Sequence, residues 1–312
     1  MSNMIELSIK GRKKRVLAWE VGQVRVVKMG WFITTAQIFD EYWLEVDKLP
    51  NPHEVIRELK DMRDKPDLFT FAQRVPNVDP NFNFHTEWDN IAVLPISTYE
   101  YWFQKQISSA TRRNVRASEK RGVIIRVAEY NEDYVRGIMS IYNESPYRQG
   151  RKFWHYGKEF ESVKKENGTY AERSTFLAAF YQNEMIGYLK IVWDKQTAAI
   201  MQILSKIAFL DYRPNNALLA EAVRQCCYRG VKYLLYEKIV YNNKTNDSLT
   251  RFKQNNGFVR MDVPRYYVPL TNRGSMALHL GLHRGLKERV PDWIAAFLRD
   301  FRRRWYEKKS HR

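Results

Sequence analysis

Between residues 174 and 258 the chain reads as three short strands joined by tight turns, then a basic loop, a helix, a strand, a second helix and a Gly-Phe pair. That order leaves few folds open. The stretches 175–181, 186–193 and 197–204 are linked by Gln182-Asn183-Glu184 and Asp194-Lys195-Gln196, which predicts an antiparallel meander. The loop Arg213-Pro214-Asn215-Asn216 comes directly before the first helix. Asn215 or Asn216 is the expected cap of that helix, Leu219, Ala222, Val223 and Cys226 its buried face, and Gly230 its stop. A helix start at the end of a sheet presents unpaired amides and partial positive charge, so an anionic ligand can dock there. A strand at 232–236, a short helix capped by Asp247 and ended by Asn256-Gly257, and a strand at 266–270 complete the segment.

The chain has 312 residues, 44% hydrophobic and 14% aromatic, enough for one large core or two small ones. Fifty-two Lys and Arg against 35 Asp and Glu give a net charge of +17, which either attracts phosphates, nucleic acid or anionic lipid or simply serves solubility. Cys226 and Cys227 are adjacent, so they neither staple distant segments nor show metal-ligand spacing, and a reducing, cytoplasmic setting is expected. No apolar run suits a signal peptide or a membrane span, the best stretch, 198–210, being broken by Lys206.

Three regions follow from the changes in pattern. Residues 1–98 read as a small α/β unit, with strand-like stretches at 16–27, 68–74 and 91–95 and a helix at 52–64. Residues 99–271 open on a helix over 99–121 in which Arg112, Arg116 and Lys120 stack on one face beside Arg113, either an anion-binding surface or a solvated face. Residues 272–312 form a basic amphipathic tail in which Trp293, Ile294, Phe297, Leu298 and Phe301 precede Arg302-Arg303-Arg304. That tail either contacts an anionic membrane surface peripherally or packs on its own protein.

The loop 145–157 places Arg148, Arg151, Trp154, His155 and Tyr156 within a few positions of one another, chemistry suited to stacking on a ring and clamping a carboxylate or phosphate. A substrate-binding role is expected there. His279 and His283 stand four apart, but no third ligand lies near them in sequence, and no metal site is expected.

Four features together resemble the GNAT N-acyltransferase fold, and more closely the Fem-type and related acyltransferases of cell-wall and surface-glycan pathways. They are the basic stretch Thr111-Arg112-Arg113-Asn114-Val115-Arg116, the meander, the loop at Arg213, and Phe252-Lys253-Gln254-Asn255-Asn256-Gly257-Phe258. The resemblance covers about residues 99–271. It implies an α/β (α+β) fold, with a mixed, mostly antiparallel twisted sheet flanked by helices, and residues 1–98 as the reduced first half of a double GNAT-like arrangement. In the donor loop Arg213 is in place, while Asn216 and Leu218 stand where the family has small residues; Asn tolerates a left-handed backbone.

The resemblance further implies transfer of an acyl group from acetyl-CoA or another acyl-CoA to an amine of an amino sugar or peptide in an envelope precursor. The alternatives are an aminoacyl-tRNA donor, as in Fem-like peptidyltransferases, and a non-catalytic RNA- or membrane-binding protein on the same fold. Ile203, Leu204, Ser205, Arg213, Asn215, Asn216 and Ala217 would hold the donor. Lys253 stands where many acetyltransferases carry a tyrosine acid, and Fem-like proteins favour Phe-Lys at this point. It would stabilise developing negative charge, with Glu237 as base and His155 and Tyr241 as further proton carriers.

Overall fold

The computed structural model describes residues 2–9, 12–241 and 247–284. In chain order the strands and helices are β1 (Ser2–Ile9), β2 (Arg12–Val21), β3 (Val24–Met29), β4 (Thr35–Ile38), α1 (Pro52–Asp61), β5 (Leu68–Ala72), β6 (His85–Pro95), α2 (Tyr99–Tyr101), α3 (Ser109–Lys120), β7 (Ile124–Ala128) and α4 (Glu132–Tyr142). There follow β8 (Tyr147–Arg148), β9 (Arg151–Lys152), α5 (Phe160–Asn167), β10 (Ser174–Tyr181), β11 (Glu184–Trp193), β12 (Thr197–Ser205), α6 (Pro214–Arg229), β13 (Tyr233–Lys238), α7 (Ser248–Asn255), β14 (Val259–Pro269) and α8 (Asn272–His279). One compact unit is built from the chain up to Asn90 and the segment beginning at Met261, and the other runs from Ile91 to Arg260.

In the first unit the strands run β1-β2-β3-β4-β5-β14. Every pair is antiparallel except β4 with β5, which α1 connects. Asn51 caps α1 by accepting from the His53 amide, and Pro52 supplies a pre-set φ at its first position. Val55, Ile56 and Leu59 of α1 join Trp19, Val26, Phe69, Phe71 and Tyr266 in a single core. Arg265 pairs with Glu41 and Asp89 inside this unit.

The second unit repeats that plan in the order β7-β10-β11-β12-β13-β6. It is an antiparallel meander, a helical crossover through α6, one parallel strand, and an antiparallel closing strand. In each unit the closing strand comes from elsewhere in the chain, β14 in the first and β6 in the second. The molecule is therefore a double GNAT-like arrangement with a smaller N-terminal half and a mixed, mostly antiparallel sheet flanked by helices. Leu218, Leu219, Ala222, Val223 and Cys226 of α6 pack on one face of the second sheet. Tyr134, Val135, Ile138 and Tyr142 of α4 pack on the other.

Two local expectations change. The helix expected over 99–121 is interrupted: a π turn spans Trp102–Gln106, Ile107 is extended, and Ser108 caps a fresh start at α3. The break holds because Trp102 is buried with its Nε1 on the Asn256 carbonyl at 3.0 Å, and because Arg112 spends its guanidinium on the carbonyls of Gln104 and Ile107. Arg112 thus leaves the exposed stripe. The cap of α6 is also neither Asn215 nor Asn216. Pro214 begins the helix, and Arg213, in the left-handed region at φ 57°, precedes it without a side-chain cap.

Most of the basic tail, including Trp293 to Arg304, lies outside the described residues. Among the described residues no helix is long and apolar enough to cross a membrane.

Candidate active site

Strands β12 and β13 pair only at Thr197–Tyr233, Ala198–Leu234 and Ala199–Leu235, and then part. Each strand is irregular where they separate. Strand β12 slips register against β11 after Ile200, leaving Met201 as the bulged residue, and β13 slips against β6 between Leu235 and Lys238, with Glu237 at φ 45°. A bulge bends and over-twists its strand, so two bulges facing one seam open it.

The opened edge of β12 carries polar backbone. The Lys206 amide donates to Ile186 on β11 at 2.8 Å. Strand alternation therefore turns the Ile203 and Ser205 amides to the open side and the Leu204 amide to β11. The Ser205 carbonyl, also on the open side, accepts from Arg148 Nη1 at 2.8 Å, and the buried Ser205 hydroxyl has no partner.

Arg148 lies on the β8–β9 hairpin and also donates to the Ile141 carbonyl and to Glu144. Glu144 in turn accepts from the amides of Ile207 (2.5 Å) and Ala208 (2.8 Å), which follow β12. One carboxylate thus fixes the start of the loop before α6 and the arginine that reaches the open seam. Sequence reading missed Glu144, because its partners are 63 and 64 positions away.

The loop before α6 itself offers few amides. Pro214 has none, and Asn216 and Ala217 both donate to the Arg213 carbonyl, at 3.0 and 3.3 Å. Pro214, Asn216 and Ala217 are buried, Asn215 is half-buried with its Oδ1 unpartnered, and Arg213 is exposed. Arg121, at the end of α3, donates to the Asp211 carbonyl, which brings the exposed cations of α3 to the edge of this loop.

A buried polar chain links α4, β11 and β12. Tyr142 Oη lies 2.7 Å from Tyr188 Oη, and Tyr188 donates to Gln202 Oε1 at 2.8 Å. Burial holds the Tyr188 phenol well above its usual range. Behind it, Lys190 Nζ donates to the Asn167 carbonyl at 2.8 Å and to Thr169, and burial lowers its pKa to about 8. The signal for Lys190 was present in sequence as a single charge inside the apolar run of β11.

His155 packs between Tyr142, with ring centroids 4.3 Å apart, and Trp154, at 3.5 Å, and its Nδ1 is buried without a partner. Burial, with Lys158 and Arg148 nearby, lowers its pKa to about 3, so the ring is neutral at physiological pH. Arg151 is exposed, as are Trp154 and Tyr156.

Lys253 is fully buried and donates to the carbonyls of Tyr236 and Lys238, both at 2.7 Å. Burial lowers its pKa to about 8 against the pull of Glu237 and Asp247. Its ammonium is therefore spent on the backbone either side of the Glu237 bulge. Glu237 is exposed and accepts a hydrogen bond from the Tyr241 hydroxyl.

Residues 105–237, which contain the meander, the opened seam and the loop before α6, match the family model described as Acetyltransferase (GNAT) domain. This segment of the chain is similar to the GNAT acetyltransferase domain. Solved structures of similar fold extend the likeness over most of the chain. FemX is 10% identical, with 89% of this chain and 90% of that one covered at a TM-score of 0.51. L-PGS from Bacillus licheniformis is 12% identical, with 85% and 87% covered at 0.52. A C-terminal domain assigned to a lysylphosphatidylglycerol synthetase from Agrobacterium fabrum is 12% identical, with 85% and 87% covered at 0.54. No curated protein matches the chain in sequence.

Proposed function

We propose that the protein transfers an acyl group from acyl-CoA to an amine of an amino sugar or peptide in an envelope or surface-glycan precursor. The observation that carries this reading is the parting of β12 from β13 after three residue pairs, which leaves the Ile203 and Ser205 amides facing an opening in a GNAT sheet. The acyl carrier would lie in that opening, with its carbonyl near those amides and its phosphates toward Arg213 and Asn215. With so few free amides on the loop, the phosphate charge would fall on side chains, chiefly Arg213.

The acceptor would approach from the side of Arg148, Arg151, Trp154, His155 and Tyr156. Attack requires a neutral amine, so a proton must leave it. The Glu237–Tyr241 pair is the proton outlet in this reading, and Lys253 is a positioning residue that shapes the strand end beneath it.

Aminoacyl-tRNA as the donor is the second reading. It is favoured by the exposed cations Arg113, Arg116 and Lys120 on α3, joined through Arg121 to an amide-poor loop. A tRNA needs a broad cationic surface more than a tight pyrophosphate cradle.

Titration of the purified protein with acetyl-CoA and with aminoacyl-tRNA, followed by acyl-transfer assays on amine acceptors, separates the two. Saturable acetyl-CoA binding lost in Arg213→Glu supports the first reading. Nuclease-sensitive binding lost on neutralising Arg113, Arg116 and Lys120 supports the second, and binding of neither donor overturns both.

A further inference from the structure

His279 and His283 have no third ligand near them in sequence, but the fold brings two to His283 from far along the chain. His85 and Glu87 lie two residues apart on β6, hence on one face of the strand. His283 follows α8. One ligand atom from each of the three residues lies within 4.8 Å of the others.

His283 Nε2 is 2.7 Å from Glu87 Oε1, and His85 Nε2 is 3.8 Å from the same oxygen. Arg284 Nε also donates to Oε1, at 2.7 Å. The His283 side chain is 1% exposed and that of His85 43%, so the cluster is rooted in the protein and open to solvent on one side. His283 Nδ1 is buried without a partner, and Nε2 is the nitrogen turned toward the cluster.

We propose that His85, Glu87 and His283 bind a divalent transition-metal ion through two imidazole nitrogens and one carboxylate oxygen. Ligand atoms about 2.0–2.2 Å from a tetrahedral zinc stand roughly 3.3 Å from one another, a spacing that small side-chain rotations reach from the present positions. Two nitrogens and one oxygen suit Zn2+, Co2+ or Ni2+ rather than Mg2+ or Ca2+. The carboxylate is held in place by hydrogen bonds from His283 and Arg284. The fourth position falls on the solvent side, beside His85. A bound ion would fasten the start of β6 to the segment after α8, and so stabilise the N-terminal half by mass action.

The test uses the full chain, stripped with a chelator and titrated with Zn2+ and Co2+. One equivalent is expected to bind, with visible Co2+ absorption bands and a rise in melting temperature. His85→Ala, at an exposed position that leaves the core intact, is expected to weaken binding at least about tenfold, as is Glu87→Gln. His279→Ala is expected to bind as the parent does. Absence of a stoichiometric ion, or equal affinity in His85→Ala and the parent, overturns the proposal and leaves the three residues as a hydrogen-bonded cluster only.

Discussion

Lys253 Nζ donates to the carbonyl of Tyr236 at 2.7 Å, and the same ammonium reaches the carbonyl of Lys238 across the Glu237 bulge. A residue at the expected place of a catalytic acid is thus built into the backbone of the strand that opens the sheet. Replacing it with Met strands two buried carbonyls, and a loss of about 2–5 kcal/mol in urea unfolding is expected.

The same burial gives Lys253 a pH signature. Its folded pKa is about 8 and its ordinary value 10.5, so between these limits the unfolded chain binds the proton that the folded chain has released. Stability relative to Lys253→Met should therefore rise as pH increases from 8 to 10.5. A flat difference across that window would show that the ammonium is not desolvated.

His155 carries the same sign in an acid window. Its pKa falls from 6.5 to about 3 on folding, so protons favour the unfolded chain as pH drops through that interval. The parent should lose stability below pH 6.5 faster than His155→Phe does, as read by thermal melts in matched buffers. Parallel curves would place the ring in contact with water.

Glu144 ties the Ile207 and Ala208 amides to Arg148. Truncation to Ala removes charge-assisted bonds worth about 1.5–3 kcal/mol each, and amide exchange at these two positions should accelerate at least about tenfold. Donor affinity should fall with it. Unchanged exchange at both amides would dismiss Glu144 as the anchor of the loop.

Tyr188 links Tyr142 to Gln202 inside the core. Tyr188→Phe leaves both partners short of a bond and should cost about 1–3 kcal/mol in denaturant unfolding. In the double variant with Tyr142→Phe the loss should be less than additive, since the two hydroxyls share one bond. Strict additivity would mean that the two hydroxyls do not interact.

Much of the fold was legible in the sequence because local signals agree. Turn residues marked the meander, Asp247 capped α7 by accepting from the Thr250 amide at 2.7 Å, and Gly230 closed α6 in the left-handed region. The break at Ile107 was illegible, since it depends on Trp102 reaching an acceptor 154 positions away. The site divides in the same way. Arg148 and His155 were legible as unusual polar residues in an aromatic loop, whereas Tyr142, Glu144, Tyr188 and Gln202 look ordinary until folding aligns them.

The sequence by itself determined the order of strands and helices around the meander and α6, because that order rests on periodicity and on turn and cap residues adjacent in the chain, and its motifs carried the resemblance of the central segment to the GNAT fold. Only the tertiary structure decided that Lys253 serves the backbone, that Glu144 anchors the loop, and that His283 meets His85 and Glu87. These follow from hydrogen bonds and burial between residues far apart in sequence. Such contacts exist only once packing has excluded water and fixed which polar atoms must find partners.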